Sequence, residues 1–216
     1  ERDGNLVIAL ADMELYRLFS PRRLQQRAMR EAMQAAGLIL TDANLPAETL
    51  AAMSGAARAA GVPIAGIAIS PAKVVRFRES LSALAFLFMN EAEARTLTGE
   101  APDDPADWPK ALRATGLAAG VVTRGGRGVI AFDQESAALV VPPDIPALGD
   151  VTGAGDSLAS GFLSAWTGGA TICEALRHGV AAAAITVRSP LAVAEEMSRA
   201  ALADALSLVP EAEILS

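Results

Sequence analysis

The densest run of reactive residue types is Asp150-Val151-Thr152-Gly153-Ala154-Gly155-Asp156-Ser157. Prolines at 142, 143 and 146 keep the chain before it out of a helix, whereas Leu158 to Trp166 can form one. The run therefore reads as a glycine-rich turn that opens a helix. Such a turn directs unpaired backbone N–H groups at one point, and the helix dipole adds positive potential there. An anion is favoured at that point, most naturally a phosphate. Gly153, Ala154 and Gly155 are the expected anion hole. Asp156 is the odd member, a carboxylate beside an anion site. Two readings are open for it: a helix N-cap, or a base that takes a proton from a hydroxyl attacking a phosphoryl group.

Three further stretches carry polar chemistry. Asn90-x-x-Glu93 follows an apolar run and starts a helix, which by itself is a capping box. Thr123-Arg124-Gly125-Gly126-Arg127-Gly128 reads as a strand end and a glycine turn. Its arginines could face phosphates, with solvation at the surface as the simpler alternative. Ala181 to Ala184 lie in a helical stretch, where small side chains suit either close packing or a flat ring. The single histidine, His178, leaves no Ser-His-Asp triad and no multi-histidine metal site. The single cysteine, Cys173, permits no internal disulfide and reads as helix filler.

The elements that must position these residues alternate between strand and helix. Strands are expected over Leu6–Ala11, Leu38–Thr41, Val62–Ile69, Leu84–Phe88 and Ala119–Thr123, with a hairpin of Val129–Phe132 and Ala137–Val141. Helices are expected from Ser20-Pro21 to Ala36, Pro46 to Gly61, Asn90 to Gly99, the Pro109 region to Gly116, Leu158 to Trp166, Thr171 to Arg188 and Met197 to Leu208, followed by an acidic tail. A short helical turn after Ser70-Pro71 carries Lys73 and Arg76. Alternation of this kind predicts an α/β fold with a mostly parallel sheet and helices on both faces. Ligands then sit beyond the carboxyl ends of the strands, where Asp42–Asn44, Asn90–Glu93 and Thr123–Gly128 fall.

The chain has 216 residues, enough for one domain over 1–216 with a sizeable core. It is 52% hydrophobic but only 4% aromatic, so that core is aliphatic and alanine-rich. The net charge of −7 argues against nucleic acid as a partner, and a small anionic ligand needs a local positive site. The apolar runs are shorter than the roughly 18 residues of a membrane span. One cysteine and no visible signal peptide suit a cytoplasmic location.

The Gly153–Asp156 run, Asn90-x-x-Glu93 and Thr123-x-Gly125-x-x-Gly128 together resemble the ribokinase-like (PfkB-type) carbohydrate and nucleoside kinases. That resemblance implies a three-layer α/β/α fold and ATP with Mg²⁺. It makes Asp156 the catalytic base and sets Thr123, Gly125 and Gly128 beside the nucleotide. It gives Glu93, with Asn90 acting indirectly through water, the task of organising the metal. Asp150 shapes the turn and contacts the metal shell, and the Ala181–Ala184 helix lies against adenine. Phe88-Met89 departs from the Lys-Pro often found before the asparagine in that family. Within the family, Leu6–Met13, Asp42-Ala43-Asn44-Leu45-Pro46, Ser70-Pro71-Ala72-Lys73 and the glycine turn look closest to the pseudouridine kinases. The implied reaction is phosphorylation of the 5′-hydroxyl of a nucleoside, pseudouridine first. A related kinase of ribose or another monosaccharide is the alternative, and a non-catalytic nucleotide-binding protein is the alternative from another class. The expected partner is a small nucleoside or sugar, with no nucleic acid and no membrane, and a homodimer is compatible. Relatives carry further residues ahead of a segment like Leu6–Met13, so the amino-terminal part of the family fold is expected to be missing here. The acceptor-binding residues are left unassigned.

Overall fold

The computed structural model describes residues 14–143 and 151–215. The strand expected over Leu6–Ala11, the Asp144–Pro146 segment and Asp150 lie outside them. Helices α1 (Pro21–Leu24) and α2 (Arg27–Ala35) precede β1 (Ile39–Asp42), α3 (Ala47–Ala60), β2 (Ile64–Ile67) and α4 (Pro71–Val74). β3 (Phe86–Asn90), α5 (Glu91–Thr98), α6 (Asp107–Ala114) and β4 (Gly120–Thr123) come next, then the strands β5 (Val129–Phe132) and β6 (Ala137–Val140). The chain ends with α7 (Ala154–Thr167), α8 (Ile172–Thr186), α9 (Arg199–Leu206) and β7 (Glu213–Ile214).

Local chemistry sets most boundaries. Gly61 closes α3 in the left-handed region at φ 68°, and Gly99 closes α5 at φ 74°. Asn90 and Thr171 each start a helix through a reciprocal capping box with the glutamate three residues on. Ser20 and Ser70 precede a proline at the helix start, yet neither side chain makes a cap hydrogen bond. The single helix expected over 20–36 is two, because Gln26 is extended at ψ 138° and both glutamines at the break are exposed. β7 stands where the sequence reads only as an acidic tail; two residues are too few to show a period.

The seven strands hydrogen-bond in chain order. β1 to β4 are parallel, with Asp42 opposite Ile67, Ile67 opposite Phe88, Phe88 opposite Val121 and Asn90 opposite Thr123. The apolar runs of β2 and β3 are buried along most of their length, as parallel strands require.

The described residues form two compact units. One takes 14–124, 130–137 and 214–215. Its core is built on the fully enclosed Trp108, Phe77, Phe132, Leu50, Ile64, Leu87 and Leu112. The guanidinium of Arg113 lies 5.5 Å from the centre of the Phe132 ring.

The other unit takes 125–129 and the described part of 138–213. Its centre is the packing of α7 on α8. A Cβ at Gly161 would lie 2.7 Å from the His178 carbonyl oxygen and 2.8 Å from the Ala182 Cβ. A Cβ at Gly179 would lie 2.8 Å from the Leu158 carbonyl oxygen. The two helices therefore touch through backbone, and Ala181, Ala182 and Ala184 are buried. Among the described residues no helix is long and apolar enough to cross a membrane.

Gly161→Ala is expected to destabilise this unit by about 1–3 kcal/mol, because a helix backbone must retreat from the added methyl group. Gly55→Ala, at an exposed site of α3 with open space around it, should instead stabilise by about 0.5–1 kcal/mol. Urea unfolding of the two variants should shift the midpoint in opposite directions.

Candidate active site

The glycine turn and α7 lie in the second unit. Gly153 is the N-cap of α7, left-handed at φ 82° and ψ −8°. A side chain there is excluded twice: by the positive φ, and because a Cβ would come 2.0 Å from the Ala192 carbonyl oxygen. Asp156 is three residues past the cap, in the first turn of the helix, and is exposed. The capping reading of Asp156 is therefore set aside, since Gly153 holds the cap and no side-chain cap bond is made. No partner for the Asp156 carboxylate is found among the described residues.

The backbone around it has donors to spare. The Ala154 N–H donates to the Val151 carbonyl at 3.2 Å, and the Ser157 N–H to the Gly153 carbonyl at 2.9 Å. The N–H groups of Gly153, Gly155 and Asp156 have no acceptor among the described residues. Three donors at a positive helix end suit an oxyanion, with a carboxylate at its side. The Ser157 hydroxyl lies 2.7 Å from Thr186 Oγ1, and Thr186 donates to the Ala182 carbonyl at 3.3 Å. The first turn of α7 is thus tied to the last turn of α8. Sequence reasoning missed this tie, because partners 29 positions apart share no local pattern.

The Asn90–Glu93 pair lies in the first unit, at the carboxyl end of β3. Asn90 N–H donates to Glu93 Oε2 at 2.7 Å, and Glu93 N–H to Asn90 Oδ1 at 2.9 Å. Glu93 is only 5% exposed. Burial pushes its carboxyl above the ordinary value of 4.5, and the Asn90 N–H opposes that only in part. Its Oε1 has no hydrogen-bond partner among the described residues. A buried carboxylate with one oxygen spare and a raised pKa is relieved by a nearby cation, so the donor chemistry fits Mg²⁺ that keeps most of its waters. Among the described residues no cluster of three His, Cys, Asp or Glu side chains could hold a metal directly.

Thr123 is the last residue of β4 and pairs with Asn90, so two motifs distant in sequence become neighbours. In the following turn Gly125 and Gly128 have φ of 59° and 117°. The Gly128 N–H donates to the Gly125 carbonyl at 3.3 Å. Arg124 is neither solvated nor spare. It is buried, with Nε 3.5 Å from Glu91 Oε1 and NH2 3.4 Å from the Asp103 carbonyl. Its charge pins the start of α5, whose Glu91 also lies 3.6 Å from Arg95. His178 Nδ1 lies 2.8 Å from the Glu174 carbonyl oxygen of its own helix, and Cys173 is half-buried in α8. Of the alanines at 181–184, only Ala183 is not buried.

A family model described as pfkB family carbohydrate kinase matches residues 14–198. The chain is 29% identical over its whole length to a pseudouridine kinase of Escherichia coli, spanning 68% of that protein. A solved carbohydrate kinase from Agrobacterium tumefaciens is 55% identical, with a TM-score of 0.86 over 99% of this chain and 68% of the other. An Arabidopsis thaliana ribokinase solved with ribose and ATP is 25% identical, with a TM-score of 0.74 over 84% of this chain and 59% of the other. The expected ribokinase-like, three-layer α/β architecture agrees with these likenesses.

Glu93→Gln keeps the acceptor for the Asn90 N–H and removes the titration. In the unfolded chain Glu93 loses its proton near pH 4.5, while the folded state holds it to higher pH. The unfolded state then binds fewer protons, so stability falls as pH rises through this window. In magnesium-free buffer the variant should therefore gain stability relative to the parent between pH 4 and pH 7.5. Equal urea midpoints for the pair across that range would show that Glu93 titrates normally.

Proposed function

The chain belongs to the pfkB family of carbohydrate kinases, ATP-dependent enzymes acting on carbohydrates or nucleosides, and on that premise we propose that it phosphorylates the 5′-hydroxyl of a nucleoside, pseudouridine before others. The observation that carries the reading is the exposed Asp156 carboxylate beside three unpaired N–H groups at the start of α7. Asp156 accepts the proton of the attacking hydroxyl as its oxygen bonds to the γ-phosphorus and the bond from that phosphorus to the leaving ADP oxygen breaks. The N–H groups of Gly153, Gly155 and Asp156 take the equatorial oxygens of the phosphoryl group, whose charge is spread over them in transit. Ala154 N–H joins them only by leaving the Val151 carbonyl. Magnesium, when bound, neutralises charge on the β- and γ-phosphates. Glu93 would help hold it, through water, with the Oε1 that has no partner among the described residues, and Asn90 keeps Glu93 in place. Thr123 borders the nucleotide from the end of β4, with open space beside Gly125 in the turn that follows and Gly128 shaping that turn against Leu139 and Val140.

Pseudouridine as acceptor is supported by likeness along the whole chain. A C-linked uracil offers a ring N–H that an N-linked uracil lacks, so a site with a buried acceptor facing it would discriminate strongly. Phosphorylation of ribose is the second reading, favoured by the likeness to the ribokinase solved with ribose and ATP. The proposal includes one kinase domain over residues 1–216 and a cytoplasmic location.

Asp156→Asn keeps size and loses the base. We expect kcat to fall by about 10²–10⁴, with the affinity for MgATP within a factor of about three. The parent and variant should be compared in a coupled ADP-release assay, in parallel with calorimetric titration of the nucleotide. Near-normal kcat in the variant would remove Asp156 from the mechanism. Across pseudouridine, uridine and ribose, pseudouridine should give the highest kcat/KM. A tenfold advantage for ribose would keep the kinase and discard the nucleoside.

A further inference from the structure

Two cations held by neutral acceptors stand at the carboxyl end of β1 and β2. Lys73, in α4, donates through Nζ to Asn44 Oδ1 at 2.7 Å. Arg76 donates through NH1 to the Ala43 and Asn44 carbonyls, both at 2.9 Å. Neither cation is paired with a carboxylate among the described residues. Asp42, the acid on the same loop, accepts the Asn44 N–H at 2.8 Å through Oδ1 and so closes the turn.

Asn44 is only 9% exposed. An ammonium group can only donate, so Asn44 must present its oxygen to Lys73. Its Nδ2 then faces away from the lysine, and it has no acceptor among the described residues. Lys73 keeps two further N–H donors beyond the bond to Asn44. The Asn44 loop thus carries an ammonium and a guanidinium with no carboxylate paired to either among the described residues, in a chain of net charge −7. The complement of such a group is an oxyanion.

The strand registers say where that oxyanion lies. Asp42, Ile67 and Phe88 stand opposite one another. β1 lies two strands from β3, so the Asn44 loop leaves the sheet on the side of Asn90 away from Thr123, which stands opposite Asn90. After β2, Ile69 has a φ of 67°, and the Ser70 N–H closes a tight turn onto the Ala68 carbonyl at 2.8 Å. A β-branched residue is costly there, and the strained turn delivers Lys73 to Asn44.

We propose that Lys73, aligned by Asn44 and backed by Arg76, binds the phosphate group of the phosphorylated product, on the acceptor side of Asn90. This rests on the kinase reading above. The nucleotide's own phosphates offer the same chemistry from the other side of Asn90, and the test separates the two sources.

The chain and its Lys73→Met, Lys73→Arg and Asn44→Asp variants should be titrated with pseudouridine 5′-phosphate, pseudouridine and MgATP. Lys73→Met should weaken the phosphate ester at least tenfold, leave pseudouridine and MgATP within twofold, and be partly rescued in Lys73→Arg. Asn44→Asp keeps the partner of Lys73 but neutralises it, and should weaken the ester alone. Unchanged ester binding in Lys73→Met, equal weakening of ester and nucleoside, or loss of MgATP in place of the ester each overturns the proposal. Inorganic phosphate titrated against the Lys73 ammonium resonance gives a readout without turnover: a saturable shift supports the site, and none overturns it. If the parent neither binds MgATP nor releases ADP, the kinase reading fails, and this last measurement still decides whether Lys73 binds an oxyanion.

Discussion

Parallel pairing of β1 to β4 fixes the level at which each chain segment leaves the sheet. Every polar group discussed in the first unit depends on that level. Asn90 and Thr123 are 33 positions apart in sequence, yet register sets them opposite one another. Parallel strands expose their carboxyl ends together, so three unrelated loops contribute to one surface. A slip of a single residue would turn each of these side chains to the opposite face of its strand. The buried apolar runs of β2 and β3 oppose such a slip, since it costs the packing around Phe86, Leu87 and Phe88.

The two units solve different electrostatic problems. Around Asp156 the charge is solvated and the backbone supplies the unpaired donors. Around Glu93 the charge is buried and its nearest help is one N–H from Asn90. Arg124, which could have offset that burial, is spent on Glu91 and the Asp103 carbonyl. The first turn of α5 thus holds two acids with opposite surroundings: Glu91 beside two arginines, Glu93 beside none. Holding its proton, or taking a cation from solution, relieves the second.

Much of this was legible in the sequence, and what was not has a common physical cause. Capping boxes, glycine stops and apolar runs are local, so the starts of α5 and α8, the end of α3 and the positions of β1 to β4 could be read directly. The glycine turn could be read as the start of a helix with spare backbone donors, because those donors depend on local geometry. Contacts between distant segments could not. Arg124 in isolation resembles any surface arginine; only its position under Glu91 and the 103 loop buries it. Ser157 looks incidental until Thr186 is beside it. Gly153 announces a turn, but not that the Ala192 carbonyl occupies the space of its missing side chain. The alanines at 181–184 were equally compatible with a flat ligand or a packed neighbour, and the close approach of Gly161 accounts for Ala182.

The glycine contact between α7 and α8 has a thermal consequence. Glycine and alanine have no rotamers to freeze, so this interface assembles with little loss of side-chain entropy. α7 and α8 also bury Leu158, Phe162, Leu163 and Leu176. Heat capacity on unfolding follows the apolar area exposed. Stability of the unit that carries Asp156 therefore curves with temperature as an apolar core does, and both cooling and heating weaken it.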